Sequence, residues 1–357
     1  MHKDRPVSIR DLERAALQRL APPVSEHFNQ GARDGLTTAD AVAAWDRLRL
    51  RPRMLRDVSG VSTATTILGH ELAAPVCVAP MAMQRAAHPA GEVATARAVV
   101  ASGSLMAVST NSGTTFEEIG ATGVRWWLQA YVLRDRGLTR TILERGRDAG
   151  ASAVVLTVDT PVVGEKYTAG PSIYDVVPAE YMLANLDDGN RPDADLDKAD
   201  DLTPDIIEWL RDVTGLPVVV KGVLRGDDAR ALVAAGASAV QVSNHGGRQL
   251  DQAVATADAL PEVAAALAGT GTEIYVDGGI RRAEHVLAAL ALGARAVFVG
   301  RPVLWALAAG GPAAEGGAAG VTDLLDGLGA DLRHVMTLAG VRSPDEISSD
   351  LVAPPSR

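Results

Sequence analysis

The nonapeptide SNHGGRQLD, residues 243–251, sets a histidine between an asparagine and two glycines, with an arginine three residues on. Imidazole is the side chain whose ordinary pKa lets it take and return a proton near neutral pH. A guanidinium offers a planar fork to a carboxylate or phosphate. The segment follows the apolar run ASAVQV (237–242), and other reactive groups stand in the same relation to apolar runs. Gln129 and Tyr131 end WWLQA, Thr157 and Asp159 end AVVLTVD, and Lys221 ends PVVVKG; Ser243, His245 and Arg248 complete the set. Two further runs close on DGGIR (277–281) and GRP (300–302), glycine turns that each carry an arginine. Backbone N–H groups freed by glycine, beside a helix N-terminus and a guanidinium, favour an anion such as phosphate over plain turn chemistry.

These groups need a scaffold that brings them together. Eight short, β-branched apolar runs occur at 75–80, 105–109, 126–130, 153–159, 217–222, 239–244, 273–279 and 296–301. Most are separated by amphipathic stretches such as RGDDARALVAAG and AEHVLAALALG, which end in the glycine common just past a helix C-terminus. Strands apolar on both faces and alternating with helices predict a closed parallel (β/α)8 TIM barrel, whose reactive residues lie at the C-terminal ends of the strands. A doubly wound open sheet is the competing reading. Residues 1–357 then form one domain: an N-terminal helical cap over 1–74, the barrel over 75–345, and an insertion at 165–205. The insertion's Asp, Asn, Pro and Gly content (LDDGNRPDADLDKADDLTPD) marks it as a mobile loop over the site.

Bulk properties narrow the function. With 357 residues, 47% hydrophobic and 22% charged, the chain has material for a large core. A net charge of -10 argues against a nucleic-acid partner. No apolar stretch has the length of a membrane span and no secretory leader is visible, so a cytoplasmic location is the default expectation. Cys77, the one cysteine, lies in the apolar run APVCVAP and reads as a buried thiol, leaving redox chemistry to a cofactor. No metal-ligand pattern is present. Lys221 taken alone is ambiguous among a Schiff-base former, a counter-ion and a solvated charge. Beside a flavin it acquires a defined role, opposing the negative charge of the reduced ring. A flavin-free aldolase-like barrel remains the alternative from another class.

The segments RPRMLRDV (51–58), APMAMQRAAHPAGE (79–92), LQAY (128–131), LTVDTP (156–161), VVKGV (219–223), SNHGGRQLD, DGGIRR (277–282) and VGRPVLW (299–305) resemble, in order and over nearly the whole length, the FMN-dependent 2-hydroxy acid oxidase and dehydrogenase family. Within it the chain is most similar to members that oxidise 4-hydroxymandelate. The resemblance implies FMN as cofactor, an (S)-2-hydroxy acid as substrate, oxygen or another acceptor as oxidant, and a homotetramer; an FMN-dependent isomerase of diphosphates is the alternative that leaves SNHGGRQ unexplained. It makes His245 the base as two electrons pass to flavin N5, with Asp159 pairing the imidazole. Arg248 then binds the substrate carboxylate, and Tyr131 the hydroxyl or carboxylate. Lys221, Gln129, Thr157, Ser109 and Ser243, with backbone from Met81 and Ala82, hold the isoalloxazine; Asp277, Gly278, Gly279, Arg281, Gly300 and Arg301 hold the ribityl chain and phosphate.

The chain departs from the family at two carboxylate contacts. After TVDTP it reads VVGEKY, so Lys166 stands where the family has a substrate-facing arginine, and the bidentate geometry is lost. In SEHFNQGARD, His27 replaces the first tyrosine of a pair and reads equally as a weaker carboxylate partner, a second titrating group or a surface residue. The resemblance implies an aryl-substituted substrate, and the two departures point to a changed one, larger or modified, such as an intermediate of specialised metabolism.

Overall fold

The computed structural model describes residues 8–167, 170–186, 196–311, 313 and 315–353. All eight apolar runs form strands: β1 (Val76–Val78), β2 (Met106–Ser109), β3 (Trp126–Ala130), β4 (Val154–Thr157), β5 (Val218–Val223), β6 (Ala239–Val242), β7 (Glu273–Val276) and β8 (Ala296–Val299). They pair in parallel in chain order, and β8 returns to β1, closing a (β/α)8 barrel and excluding the open sheet.

The two-residue period of a strand sorts the side chains. Val78, Val108, Leu128, Leu156, Val220, Val240, Val276 and Val299 face the helical layer and join the main core. Cys77, Ala107, Trp127, Val155, Val219, Ala239, Tyr275 and Phe298 fill the barrel interior, where the rings of Trp127, Tyr275 and Phe298 meet at 5.4–5.7 Å. Burial pushes the Cys77 thiol pKa up, so it stays protonated. Two residues further along six of the eight strands the interior turns polar. Ser109, Gln129, Thr157, Lys221, Gln241 and Asp277 are all buried there, and the strand register sets Ser109 beside Gln129 and Thr157, Lys221 and Gln241 in one row.

The N-terminal region is only partly the expected helical cap. Helices α1 (Ile9–Leu17), α2 (Pro22–Asn29) and α3 (Leu36–Arg47) are followed by a two-stranded hairpin, Thr65–Ile67 with His70–Leu72. Ile67 and Leu72 are buried against the inner barrel layer, so the hairpin plugs the end of the barrel away from the polar residues. Residues 165–205, expected as a mobile loop, make contacts with the rest of the barrel where they are described. Asn185 donates to Ser112 Oγ and accepts from the Phe116 N–H, and Lys198 pairs with Leu133 in an antiparallel bridge closed by the Arg134 and Ala199 amides. The stretches 168–169 and 187–195 of that expectation lie outside the described residues. Among the described residues no helix is long and apolar enough to cross a membrane, and no group of three or more metal-ligating side chains exists.

Candidate active site

Beyond β6 the chain makes three successive left-handed residues, His245 (φ 56°), Gly246 (64°) and Gly247 (79°). A non-glycine residue held there is strained and persists only when its surroundings enforce it. Ser243 Oγ accepts the His245 N–H at 3.1 Å, and Thr38 of α3 donates to the Gly246 carbonyl at 3.2 Å. A Cβ on Gly247 would lie 2.5 Å from the Thr38 nitrogen, so only glycine fits. This turn presents the imidazole to Asp159, with Nδ1 3.0 Å from Oδ1. Room for that carboxylate comes from the bulge in β5, where a Cβ on Gly222 (φ 111°) would lie 2.7 Å from Asp159 Cβ. Burial pushes the His245 pKa below its ordinary value, Asp159 pushes it back up, and Lys221 and Arg248 add to the lowering. Burial would raise the Asp159 carboxyl; the His245 and Lys221 charges and the hydrogen bonds from His245 and Thr160 outweigh it and hold it at about 2. The result is an ionised carboxylate against an imidazole that stays neutral near pH 7, the state a proton acceptor needs.

Lys221 is buried at the end of β5, donating to Ser243 Oγ at 2.9 Å and lying 3.4 Å from Asp277. Ser243 donates to Asp277 at 2.6 Å and Gln241 at 2.7 Å. Burial alone would lower the lysine pKa, but Asp277, Asp159 and Tyr131 raise it above its ordinary value, so the ammonium is permanent. Asp277, assigned above to the ribityl chain, is thus first the counter-ion of Lys221. Beside this row Gln129 Nε2 and Thr157 Oγ1 are buried with no protein partner, as are Asp159 Oδ2, Gln241 Oε1 and Asn244 Oδ1. Orphaned buried polar atoms are rare and expensive, and such a cluster marks a surface built for a polar ligand edge.

Past β7 and β8 lies an excess of positive charge. Arg281 Nη1 donates to its neighbour's carbonyl and its guanidinium stacks on Trp305 at 5.1 Å. Arg301 donates to the carbonyls of Phe28 (3.0 Å) and Gly246 (3.0 Å). Neither forms an ion pair with a described carboxylate. Burial, and for Arg301 also Arg248 and Arg281, push these guanidinium pKa values down to about 10 and about 9. Two half-buried cations, the charge of one acting against the other, beside the left-handed glycines Gly278 and Gly279, form a preorganised anion site. Helix α3 closes its wall: Trp45 Nε1 donates to the Gly278 carbonyl at 2.8 Å, and a Cβ on Gly279 would lie 2.0 Å from the Ala41 carbonyl.

At the mouth Arg248 is less free than a carboxylate fork requires, because Nη1 donates to the carbonyls of His27 (2.6 Å) and Gln30 (3.0 Å). Lys166 is turned to the backbone, donating to the carbonyls of Gly164 (2.6 Å) and Arg248 (3.0 Å). Burial and Arg248 bring its pKa down to about 8. Burial, Arg248 and Lys166 push His27 down to about 4, so its imidazole is neutral near pH 7. It stands edge-on to Tyr174 with ring centroids 5.9 Å apart. Burial pushes the Tyr131 phenol up to about 12. Lys198, which the sequence reading missed, lies 3.6 Å over the Tyr131 ring, and burial brings its pKa down to about 8. Gln241 and Trp45 were missed as well. The two-residue strand period could have found Gln241; no local signal marks Lys198 or Trp45.

Ser109 ends β2, and Gly300 follows β8 beside Met81. Ser109 Oγ accepts from the Asn111 amide at 3.1 Å, and a Cβ on Gly300 would sit 3.7 Å from Met81 Sδ. A flavin mononucleotide fits this set. Its ring edge would meet the orphaned Gln129 and Thr157 atoms, Lys221 would oppose negative ring charge, and its phosphate would meet Arg281 and Arg301.

Comparison with known proteins agrees. The model of the family described as FMN-dependent dehydrogenase matches residues 16–354. L-lactate oxidase of Nostoc is 41% identical over 97% of this chain and 98% of its own, and human 2-hydroxyacid oxidase 1 is 39% identical over 97% and 96%. Among solved structures, mandelate oxidase with benzoyl-formic acid superposes with a TM-score of 0.86 at 41% identity, covering 98% of both chains; mandelate oxidase with (S)-4-hydroxymandelic acid gives 0.86 at 39%, covering 97% and 98%. The chain belongs to the FMN-dependent dehydrogenase family, and FMN is its cofactor.

Proposed function

We propose that this chain oxidises an aryl-substituted (S)-2-hydroxy acid to the 2-oxo acid. The observation that carries the reading is the His245–Asp159 pair, set between an orphaned polar edge and half-buried cations. Bound FMN supplies the two-electron acceptor. The substrate carboxylate binds at Arg248, with the Lys166 charge behind it and His27 at its side; Tyr131 donates to the substrate hydroxyl or carboxylate. His245 has Nδ1 engaged by Asp159 and takes a substrate proton at Nε2. As the imidazole charges, the Asp159 carboxylate 3.0 Å away stabilises it. Lys221, held charged by Asp277, would oppose negative charge on the flavin ring, and Gln129, Thr157, Ser109 and Ser243 with the backbone of Met81 and Ala82 would hold that ring. Arg281, Arg301, Gly278, Gly279 and Gly300 take the ribityl phosphate. Dioxygen as the second substrate and a homotetrameric assembly complete the reading, supported by the family resemblance; the cytoplasmic site of action is proposed from the sequence alone.

The test is the visible spectrum of the purified protein without oxygen, before and after (S)-mandelate and 4-hydroxymandelate. Bleaching of the flavin band by these acids, reversed by air, is expected. A band bleached only by glycolate or lactate would overturn the aryl assignment, and a band that no 2-hydroxy acid bleaches would overturn the reaction.

A further inference from the structure

A second chamber adjoins the site. A cavity of about 280 Å³ lies between the outer faces of β4 and β5, the helices Ile206–Thr214 and Gly226–Ala234, and residues 198–204. Its walls are largely apolar, with Leu156, Val158, Ile207 and Val223 among them. Asp200 and Asp228 are exposed and mark the side open to solvent. At the other side the chamber shares a wall with the active site. Tyr131 and Thr157 line both, and Thr160, also in the lining, donates to Asp159 Oδ1 at 3.1 Å. Lys198 stands at this shared wall, over the Tyr131 ring, with its backbone fixed by the bridge to Leu133.

None of the groups assigned to FMN, the carboxylate or proton transfer needs this space, yet the fold keeps it open. An apolar cavity of roughly 150 Å³ takes benzene, so this one has room for an aromatic ring together with a short linker. An apolar lining that touches the reacting end through Tyr131 suits the part of a substrate that is not reacting, where binding energy can be used to hold the α-carbon in place.

We propose that the chamber is a subsite for the substrate side chain, selecting 2-hydroxy acids whose aryl ring is joined to the α-carbon through a short alkyl linker. This rests on the 2-hydroxy acid reading above and narrows it to a longer class of substrate than mandelate. The ring occupies the apolar volume, and Lys198 and Tyr131 form the throat through which the linker passes.

Ala231 and Leu232 line the chamber from the helix Gly226–Ala234, Ala231 at its solvent-exposed side, and Ala231→Phe sets a ring across its mouth without touching the groups assigned to chemistry. Steady-state turnover of (S)-2-hydroxy-4-phenylbutyrate and (S)-mandelate by the holoenzyme is the first measurement. The wild type is expected to favour the longer acid in kcat/KM. Ala231→Phe should lower kcat/KM for the longer acid by about 10–200-fold, the range by which apolar pockets discriminate, with mandelate little changed. Equal losses on both acids, or no preference for the longer one, overturn the proposal. Leu232→Trp repeats the test if Ala231→Phe fails to retain FMN. Binding of 2-oxo-4-phenylbutyrate, followed by perturbation of the flavin band, separates the two readings. If neither acid is oxidised but this keto acid binds with an affinity that Ala231→Phe weakens, the reaction assignment falls and the chamber stands; binding insensitive to both variants removes the chamber.

Discussion

The two ends of the site handle charge in opposite ways. At the β4–β6 end the groups that face the chemistry are paired: Lys221 with Asp277, and Asp159 with His245. At the β7–β8 end Arg281 and Arg301 are half-buried against carbonyls and an indole, with the Glu13 charge opposing theirs but no described carboxylate in ion-pair contact. A balanced pair is self-sufficient, and its use is to set proton affinities, as the depressed Asp159 and neutral His245 show. An unbalanced pair of cations raises the energy of the empty protein until an anion arrives. The first arrangement therefore serves chemistry, and the second serves retention of the cofactor.

That division can be broken by substitution. The largest effect is expected for His245→Gln, which keeps a polar side chain but removes the base: turnover should fall by about 10²–10⁴-fold, the usual contribution of a positioned base, while the flavin content of the purified protein stays at the wild-type level. A coincident loss of flavin would show that the two ends are not separable. Arg301→Met should do the reverse, weakening FMN binding about 10–100-fold on titration into deflavinated protein, as expected for a charge-assisted bond of about 1.5–3 kcal/mol. Relief of repulsion with Arg281 and Arg248 holds the effect to that range, and unchanged FMN affinity would refute the phosphate assignment.

The smallest effect concerns Lys166, which sits between the regimes. Its ammonium titrates at about 8, so it is charged below that pH and neutral above it. Attraction for a substrate carboxylate is thus present at neutral pH and lost as pH rises through 8, so KM should increase over that interval. A partly exposed charge held by backbone carbonyls gives a modest rise, roughly 2–5-fold for about 0.2–1 kcal/mol. Lys166→Met should show the higher KM at all pH values; a pH dependence unchanged in that variant would assign it to another group, Lys198 first.

Much of this was legible in the chain because strands have a strict period. Once Trp127, Val155, Val219 and Tyr275 are recognised as inward-facing, Gln129, Thr157, Lys221 and Asp277 follow two residues later at the mouth. His245, Arg248, Arg281 and Arg301 were legible from glycine turns after strands. What escaped depends on contacts distant in sequence. Lys198 reaches Tyr131 through a bridge formed by an insertion, the hairpin Thr65–Leu72 shows no periodicity long enough to read, and Trp45 enters from α3 across more than 200 residues of chain. Side-chain direction was also hidden: a lysine in an arginine's place reads as substrate-facing, whereas Lys166 has turned to the Gly164 and Arg248 carbonyls.

The wall that α3 builds against Gly278 and Gly279 has a consequence for how the holoenzyme is made. A ribosome delivers α3 early and the DGGIR turn late, and the phosphate pocket exists only after the two have met. The complete phosphate pocket therefore requires that both segments be in place. Once seated, the flavin stabilises the junction between the first and last quarters of the chain by mass action, and proteolytic nicking between α3 and the hairpin should become slower as FMN concentration rises.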